Sequence, residues 1–144
     1  MPYYDIAGLR VKMNNCGGRS EKQARNGDVY GKNHNKRVQQ AVADHPELSQ
    51  GDWEYMLTGS DFYTELIKYD GILLHSSCVV VDGVAYTFSA DSGTGKSTHT
   101  QLWLKKFGDR AYILNDDKPA IRIIDGTVYA CGTPWSGKYD YSTP

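Results

Sequence analysis

The chain is expected to adopt a mixed α/β fold in which hairpin strands feed a phosphate-binding loop. Three observations predict this. Residues 90–97 read Ala-Asp-Ser-Gly-Thr-Gly-Lys-Ser, the GxxxxGK[ST] pattern with Ala90 at the first glycine position. Two Asp-Gly pairs, at 82–83 and 125–126, each separate short runs rich in β-branched and aromatic residues, a signal for two-residue hairpin turns. Helical spacing of apolar residues follows the loop directly and occurs again over 49–70.

Taken in chain order, residues 3–13 predict two short strands turning at Gly8, with Leu9, Val11 and Met13 alternating against Arg10 and Lys12. Residues 14–50 are polar, hold no sustained period and are read as loop. Residues 49–70 predict helix, with Asp52 and Ser60 placed as caps and Gly59 dividing the run in two. Phe62, Leu66 and Tyr69 fall at helical spacing, and Gly71 is a stop signal. Strands follow over 72–74, 78–81 and 84–88. A helix over 97–107 turns Leu102, Trp103 and Phe107 inward and stops at Gly108. Further strands cover 111–114, 121–124 and 128–131, and residues 132–138 read as loop. Tyr139 and Tyr141 alternate with Asp140 as an edge strand would. The organisation expected is a single domain over 1–144: strands and polar loop in 1–50, a helical segment in 51–71, and the phosphate-loop core in 72–144. No closing element follows residue 138, which suits either a truncated chain or one completed by a partner chain or a homo-oligomer.

Composition narrows the function classes. The 144 residues hold 16 basic and 17 acidic side chains, a net charge of −1. That balance argues against a basic nucleic-acid footprint and against a polybasic membrane anchor. No run approaches 18 consecutive apolar residues, and residues 1–5 have neither the charged nor the apolar region of a signal peptide. The three cysteines, Cys16, Cys78 and Cys131, stand far apart with no CxxC pair. Cys78 and Cys131 lie in strand-like apolar surroundings and are expected to be buried, inert thiols. A reducing, cytoplasmic setting is the expectation.

The loop carries the chemistry. Small residues let backbone N–H groups wrap a polyphosphate, and the following helix adds the positive end of its dipole. The cofactor-binding candidates are Ser92, Gly93, Thr94, Gly95, Lys96, Ser97 and Thr98, with Lys96 reaching β/γ-phosphate oxygens and Ser97 ligating Mg²⁺. Ala90 is expected at ordinary strand-like dihedrals. Asp116 and Asp117 follow a predicted strand, where one can hold Mg²⁺ and the other accept a proton from an attacking hydroxyl. The metal candidates are therefore Ser97, Asp116 and Asp117. His75 ends the 72–74 run; Arg122 and Lys138 are weaker phosphate candidates. His34, His45 and His99 are read as surface residues.

In order and spacing these residues resemble the C-terminal kinase domain of the HPr kinase/phosphorylase family, which is related to ATP-dependent phosphoenolpyruvate carboxykinases. The family's Leu-His pair is similar to Leu74-His75, fifteen residues before Ala90. Its loop is similar to residues 90–97, and its Asp-Asp pair to Asp116-Asp117. The resemblance implies a phosphate-loop kinase core with a mixed sheet, hairpins flanking the loop and few helices. It implies ATP and Mg²⁺ as cofactors, Asp117 as catalytic base, Asp116 as its metal-side neighbour, and His75 assisting near the γ-phosphate beside catalytic Lys96. The activity implied is phosphoryl transfer to a hydroxyl of a small molecule or a protein serine. Two alternatives stand beside it: a non-catalytic nucleotide-sensing module or incomplete subunit, and a carboxykinase-like activity. The loop reads phosphates and not the base, so ATP, GTP and pyrophosphate all stay open as donors.

Overall fold

The computed structural model describes residues 3–12, 29–30 and 34–137. Its hairpins follow from turn chemistry. Ala7-Gly8, Asp82-Gly83 and Asp125-Gly126 all have positive φ at both positions (54° and 72°, 51° and 80°, 51° and 77°). This matches the type I′ geometry whose twist suits antiparallel strands. The chain is mixed α/β: β1 (Tyr3–Ile6), β2 (Leu9–Lys12), β3 (Val29–Tyr30), α1 (His34–Asp44), α2 (Gln50–Leu66), β4 (Gly71–Leu73), β5 (Ser77–Val81), β6 (Val84–Phe88), α3 (Lys96–Phe107), β7 (Ala111–Asn115), β8 (Ala120–Ile124) and β9 (Thr127–Cys131). It forms two compact units, residues 1–69 and 70–144.

In the first unit β1 pairs antiparallel with β2, and β2 pairs parallel with β3. The helix α1 lies where the sequence predicts only loop. Its buried residues are His34 and Val38 alone, too few to create a visible period. His34 corrects the surface reading: it is buried, with Nδ1 3.3 Å from Asp61 Oδ2, and Arg37 pairs with the other oxygen of the same carboxylate.

The helix α2 departs from expectation at both proposed caps. Ser49 is the N-cap, accepting from the Asp52 amide at 3.2 Å while the Asp52 carboxylate accepts from the Ser49 amide at 3.0 Å. Asp52 is thus the N3 residue of a capping box, three after the cap, and the Ser49 bonds hold its carboxyl below the usual range. Gly59 does not divide the helix. A mid-helix glycine costs about 1 kcal/mol, and burial of Phe62 and Leu66 on the same face outweighs it. Ser60 accordingly lies mid-helix, exposed, and not at a cap.

In the second unit the strand orders are β4-β8-β9 and β6-β5-β7, every pairing antiparallel. All five residues of β5 are buried because both faces of its sheet are covered. On one face Val79, Val81 and Ile113 pack with Phe88, Trp103, Leu104 and Phe107. On the other, Cys78, Val80 and Leu114 pack with Ala130. A two-sided strand reads as a continuous apolar run, as 78–81 does. Burial pushes the Cys78 thiol up to about 11. The helix α3 corrects one inward residue: Leu102 is 54% exposed, and Leu104 packs in its place. The helical phase is set by Thr100 and Trp103, and Leu102 falls about 100° from Trp103 on the helix.

Lys138, the 139–141 strand and Cys16 lie outside the described residues. Among the described residues no helix is long and apolar enough to cross a membrane.

Candidate functional site

Strand order places the site. Both β6 and β7 run antiparallel to β5, so their C-terminal ends meet at one edge of the sheet on either side of Ser77. The β6 end leads into residues 90–97 and the β7 end into Asp116-Asp117.

The loop is built from backbone angles. Asp91 O accepts from the Thr94 amide at 3.4 Å and from the Thr94 hydroxyl at 2.8 Å, closing a turn. Gly93 and Gly95 have φ of 83° and 94°, and a Cβ on either would meet nothing within 4 Å. Glycine is needed here for conformation and not for space. Ala90 is absent from the positive-φ residues, as expected for it. Gly95 caps α3 without a side-chain hydrogen bond, so the first-turn amides keep no side-chain cap. The Lys96 ammonium curls back and donates to Ala90 O (2.8 Å) and Asp91 O (3.0 Å).

The acidic side is held by a buried polar network. Ser77 Oγ donates to Asp116 Oδ1 at 2.6 Å and lies 2.9 Å from Thr100 Oγ1, joining β5, the acid and α3. Asn115 Oδ1 accepts from the Asp117 and Lys118 amides at 3.0 and 2.8 Å, while its Nδ2 donates to Thr133 O at 2.9 Å. Lys118 Nζ donates to Asp117 Oδ2 at 2.6 Å, and His75 Nε2 is 3.4 Å from Asp117 Oδ1.

A cavity of about 440 Å³ is lined by His75, Ser92, Gly93, Gly95, Lys96, Ser97, Thr98, Asp116, Asp117 and Gly137. Of the residues singled out in the phosphate loop, at His75 and at the acid pair, all line it except Thr94, whose hydroxyl is used inside the turn. Arg122 sits on β8 and is not part of the lining. No protein-family model, curated protein or solved structure matches the chain.

The site therefore has to be read from its own groups. Donors line the loop side and carboxylates the opposite side, an arrangement that can take an anion and a cation together. Sequence reasoning missed Ser77, Thr100, Asn115, Lys118 and Gly137. Only Gly137 had a local cue, as a glycine in a loop. Its φ is 73°, and an added Cβ would lie 3.2 Å from Asp117 Cβ. Gly137→Ala is expected to destabilise the protein by about 1–2 kcal/mol through the backbone angle alone, with further loss from displacing Asp117. Thermal denaturation checks it: a melting temperature lower by roughly 5 °C is expected, and an unchanged one would remove this constraint on Asp117.

Proposed function

We propose that the chain is a Mg-ATP-dependent phosphotransferase of the HPr-kinase-like phosphate-loop type, acting on a hydroxyl of a small molecule or a protein serine. The observation that carries this reading is the shared cavity: Lys96 and Ser97 open into the same space as Asp116, Asp117 and His75. The residues fit the cofactor. Left-handed backbone at Gly93 and Gly95 is the kind that builds an anion-binding concavity. Among the described residues no three His, Cys, Asp or Glu side chains cluster to hold a metal. A divalent ion here would rest on Ser97, Asp116 or Asp117 and on phosphate oxygens, as Mg²⁺ usually does.

When bound, Mg-ATP supplies the transferable phosphoryl group. Lys96, now donating to Ala90 O and Asp91 O, would be the residue to hold β/γ-phosphate oxygens. Ser97 and Asp116 would hold the metal, with Asp116 fixed by Ser77. Asp117 accepts the proton of the attacking hydroxyl, its carboxylate set between Lys118 and His75. A cytoplasmic setting suits this use of ATP.

Calorimetric titration with Mg-ATP, Mg-GTP and pyrophosphate tests the reading. Wild-type protein is expected to bind a polyphosphate ligand at micromolar concentration. Lys96→Ala should weaken that binding by roughly 30- to 100-fold, the loss of a charge-assisted contact. Equal binding by both proteins would place the ligand elsewhere and overturn the proposal.

A further inference from the structure

A bulge decides which way Asp116 faces. Strands β5 and β7 pair with Val81 opposite Ala111 and Val79 opposite Ile113, but Cys78 then stands opposite Asn115 and not Leu114. Leu114 is the extra residue, and it packs with Cys78 and Val80 on one face of the sheet. A slip of one residue moves each later side chain to the other face. Carried one step on, the shifted register sets Asp116 opposite Ser77, on the face where Val79 and Val81 meet α3. Without the bulge Asn115 would stand there, and Asp116 would turn away from α3.

The hydroxyls that meet Asp116 on that face are shut off from water: Ser77 is 0% and Thr100 1% exposed. Buried hydroxyls need partners within the protein, and counting protons puts these in order. Ser77 has one proton, and the Asp116 carboxylate, with Oδ1 at 2.6 Å, only accepts. Ser77 Oγ therefore accepts in turn from the Thr100 hydroxyl at 2.9 Å. The chain runs one way, from Thr100 through Ser77 to Asp116, and each bond polarises the next. It occupies one carboxylate oxygen and holds the plane of the other, while Asp116 lines the cavity beside Ser97.

We infer that Ser77, oriented by Thr100, determines which divalent ion the site takes. The inference rests on the function proposed above, in which Asp116 is a metal ligand. A carboxylate pinned through Oδ1 offers an ion its other oxygen alone. One-oxygen ligation suits the small, strictly octahedral Mg²⁺, whereas Ca²⁺ gathers more oxygens and readily takes both from one carboxylate. The hydroxyl pair thus favours Mg²⁺ over Ca²⁺. Ser77 is a positioning residue, acting through Asp116.

The test titrates the full chain with Mg-ATP and with Ca-ATP, each at saturating metal. It uses wild type, Ser77→Ala and Thr100→Val, with folding verified by thermal melting. Wild type is expected to bind Mg-ATP about tenfold more tightly than Ca-ATP, the lower end of what one hydrogen bond to a charged group contributes. Ser77→Ala frees Oδ1 and should bring the two affinities within about twofold of each other. Thr100→Val keeps the Ser77 hydroxyl and removes only its orienting donor, so its ratio should fall to about threefold. That variant decides the matter if Ser77→Ala does not fold. Equal wild-type affinities, or a wild-type ratio kept by every variant that folds, would overturn the inference and leave the phosphate site standing. Weakening of both ligands by one factor also overturns it, because the hydroxyls would then only brace the sheet against α3. If wild type binds neither ligand, the phosphate-site reading fails and the metal inference fails with it.

Discussion

Asp117→Asn is expected to lower turnover by about 10³-fold, the scale of losing a general base, while Mg-ATP affinity stays within about threefold of wild type. The asymmetry follows from the geometry. Asp117 is set by three partners that do not depend on its charge alone: Asn115 Oδ1 on its amide, Ser76 donating to its carbonyl at 2.9 Å, and Lys118 on its carboxylate. An isosteric amide keeps the backbone in place, removes the proton acceptor and trades the Lys118 ion pair for a neutral contact. Binding by the loop should be preserved, since Lys96 and Ser97 are untouched. The measurement is ADP formation from Mg-ATP, with water or an added hydroxyl compound as acceptor, beside a binding titration. Undiminished turnover would take the base role from Asp117. Binding without turnover in both proteins would turn the reading toward a nucleotide-sensing module.

The second large effect is on stability. Asn115 is fully buried and makes contacts in two directions, accepting from two amides of its own turn and donating to Thr133 across the loop that follows β9. Asn115→Leu keeps the volume but strips the Asp117 amide and the Thr133 carbonyl of their partner. Each buried group left unsatisfied costs about 1–3 kcal/mol, so a loss of about 3 kcal/mol and a melting temperature lower by roughly 10 °C are expected. Asn115→Asp keeps the acceptor but sets a carboxylate oxygen against the Thr133 carbonyl in a fully buried site, so it should melt no higher than leucine. Thermal denaturation of the three proteins decides this. A leucine variant that melts with wild type would show that the turn stands on the Lys118 amide reaching Trp135 O at 3.0 Å and on the Thr133 hydroxyl reaching Lys118 O at 2.6 Å.

These two residues mark how far the amino-acid order alone can be read. Asp117 stands out because two adjacent acids after an apolar run, downstream of a GxxxxGK[ST] loop, form a local pattern. Asn115 carries no such pattern. Its worth comes from Thr133, eighteen residues away, and a single asparagine at the end of a strand announces nothing about that partner. Ser77 and Thr100 escape for the same reason. A serine opening a strand and a threonine one turn into a helix are unremarkable until strand pairing and helix packing bring them within 2.9 Å.

Local order was legible wherever one residue or one short period decides the backbone. Asp82-Gly83 and Asp125-Gly126 take positive φ and yield hairpins; the two-sided apolar run 78–81 yields a buried strand; Gly108 ends α3. Reading failed where distant packing outweighs local preference. Gly59 stays helical because Phe62 and Leu66 are buried beside it. His34 is interior because Asp61, from a different helix, meets it. Ser49 takes the cap because the reciprocal bond with Asp52 satisfies two amides, which neither residue could do alone.

The residue types, the loop and the turn positions were thus set in the linear order, since φ preferences and side-chain periods act within a few residues. The gathering of His75, residues 92–98, Asp116, Asp117 and Gly137 around one cavity was decided only in three dimensions. Alternation with a period of two marks a strand but names no neighbour. It was the order β6-β5-β7, with Ser77 opposite Phe88 and Cys78 opposite Asn115, that set loop and acids along one edge.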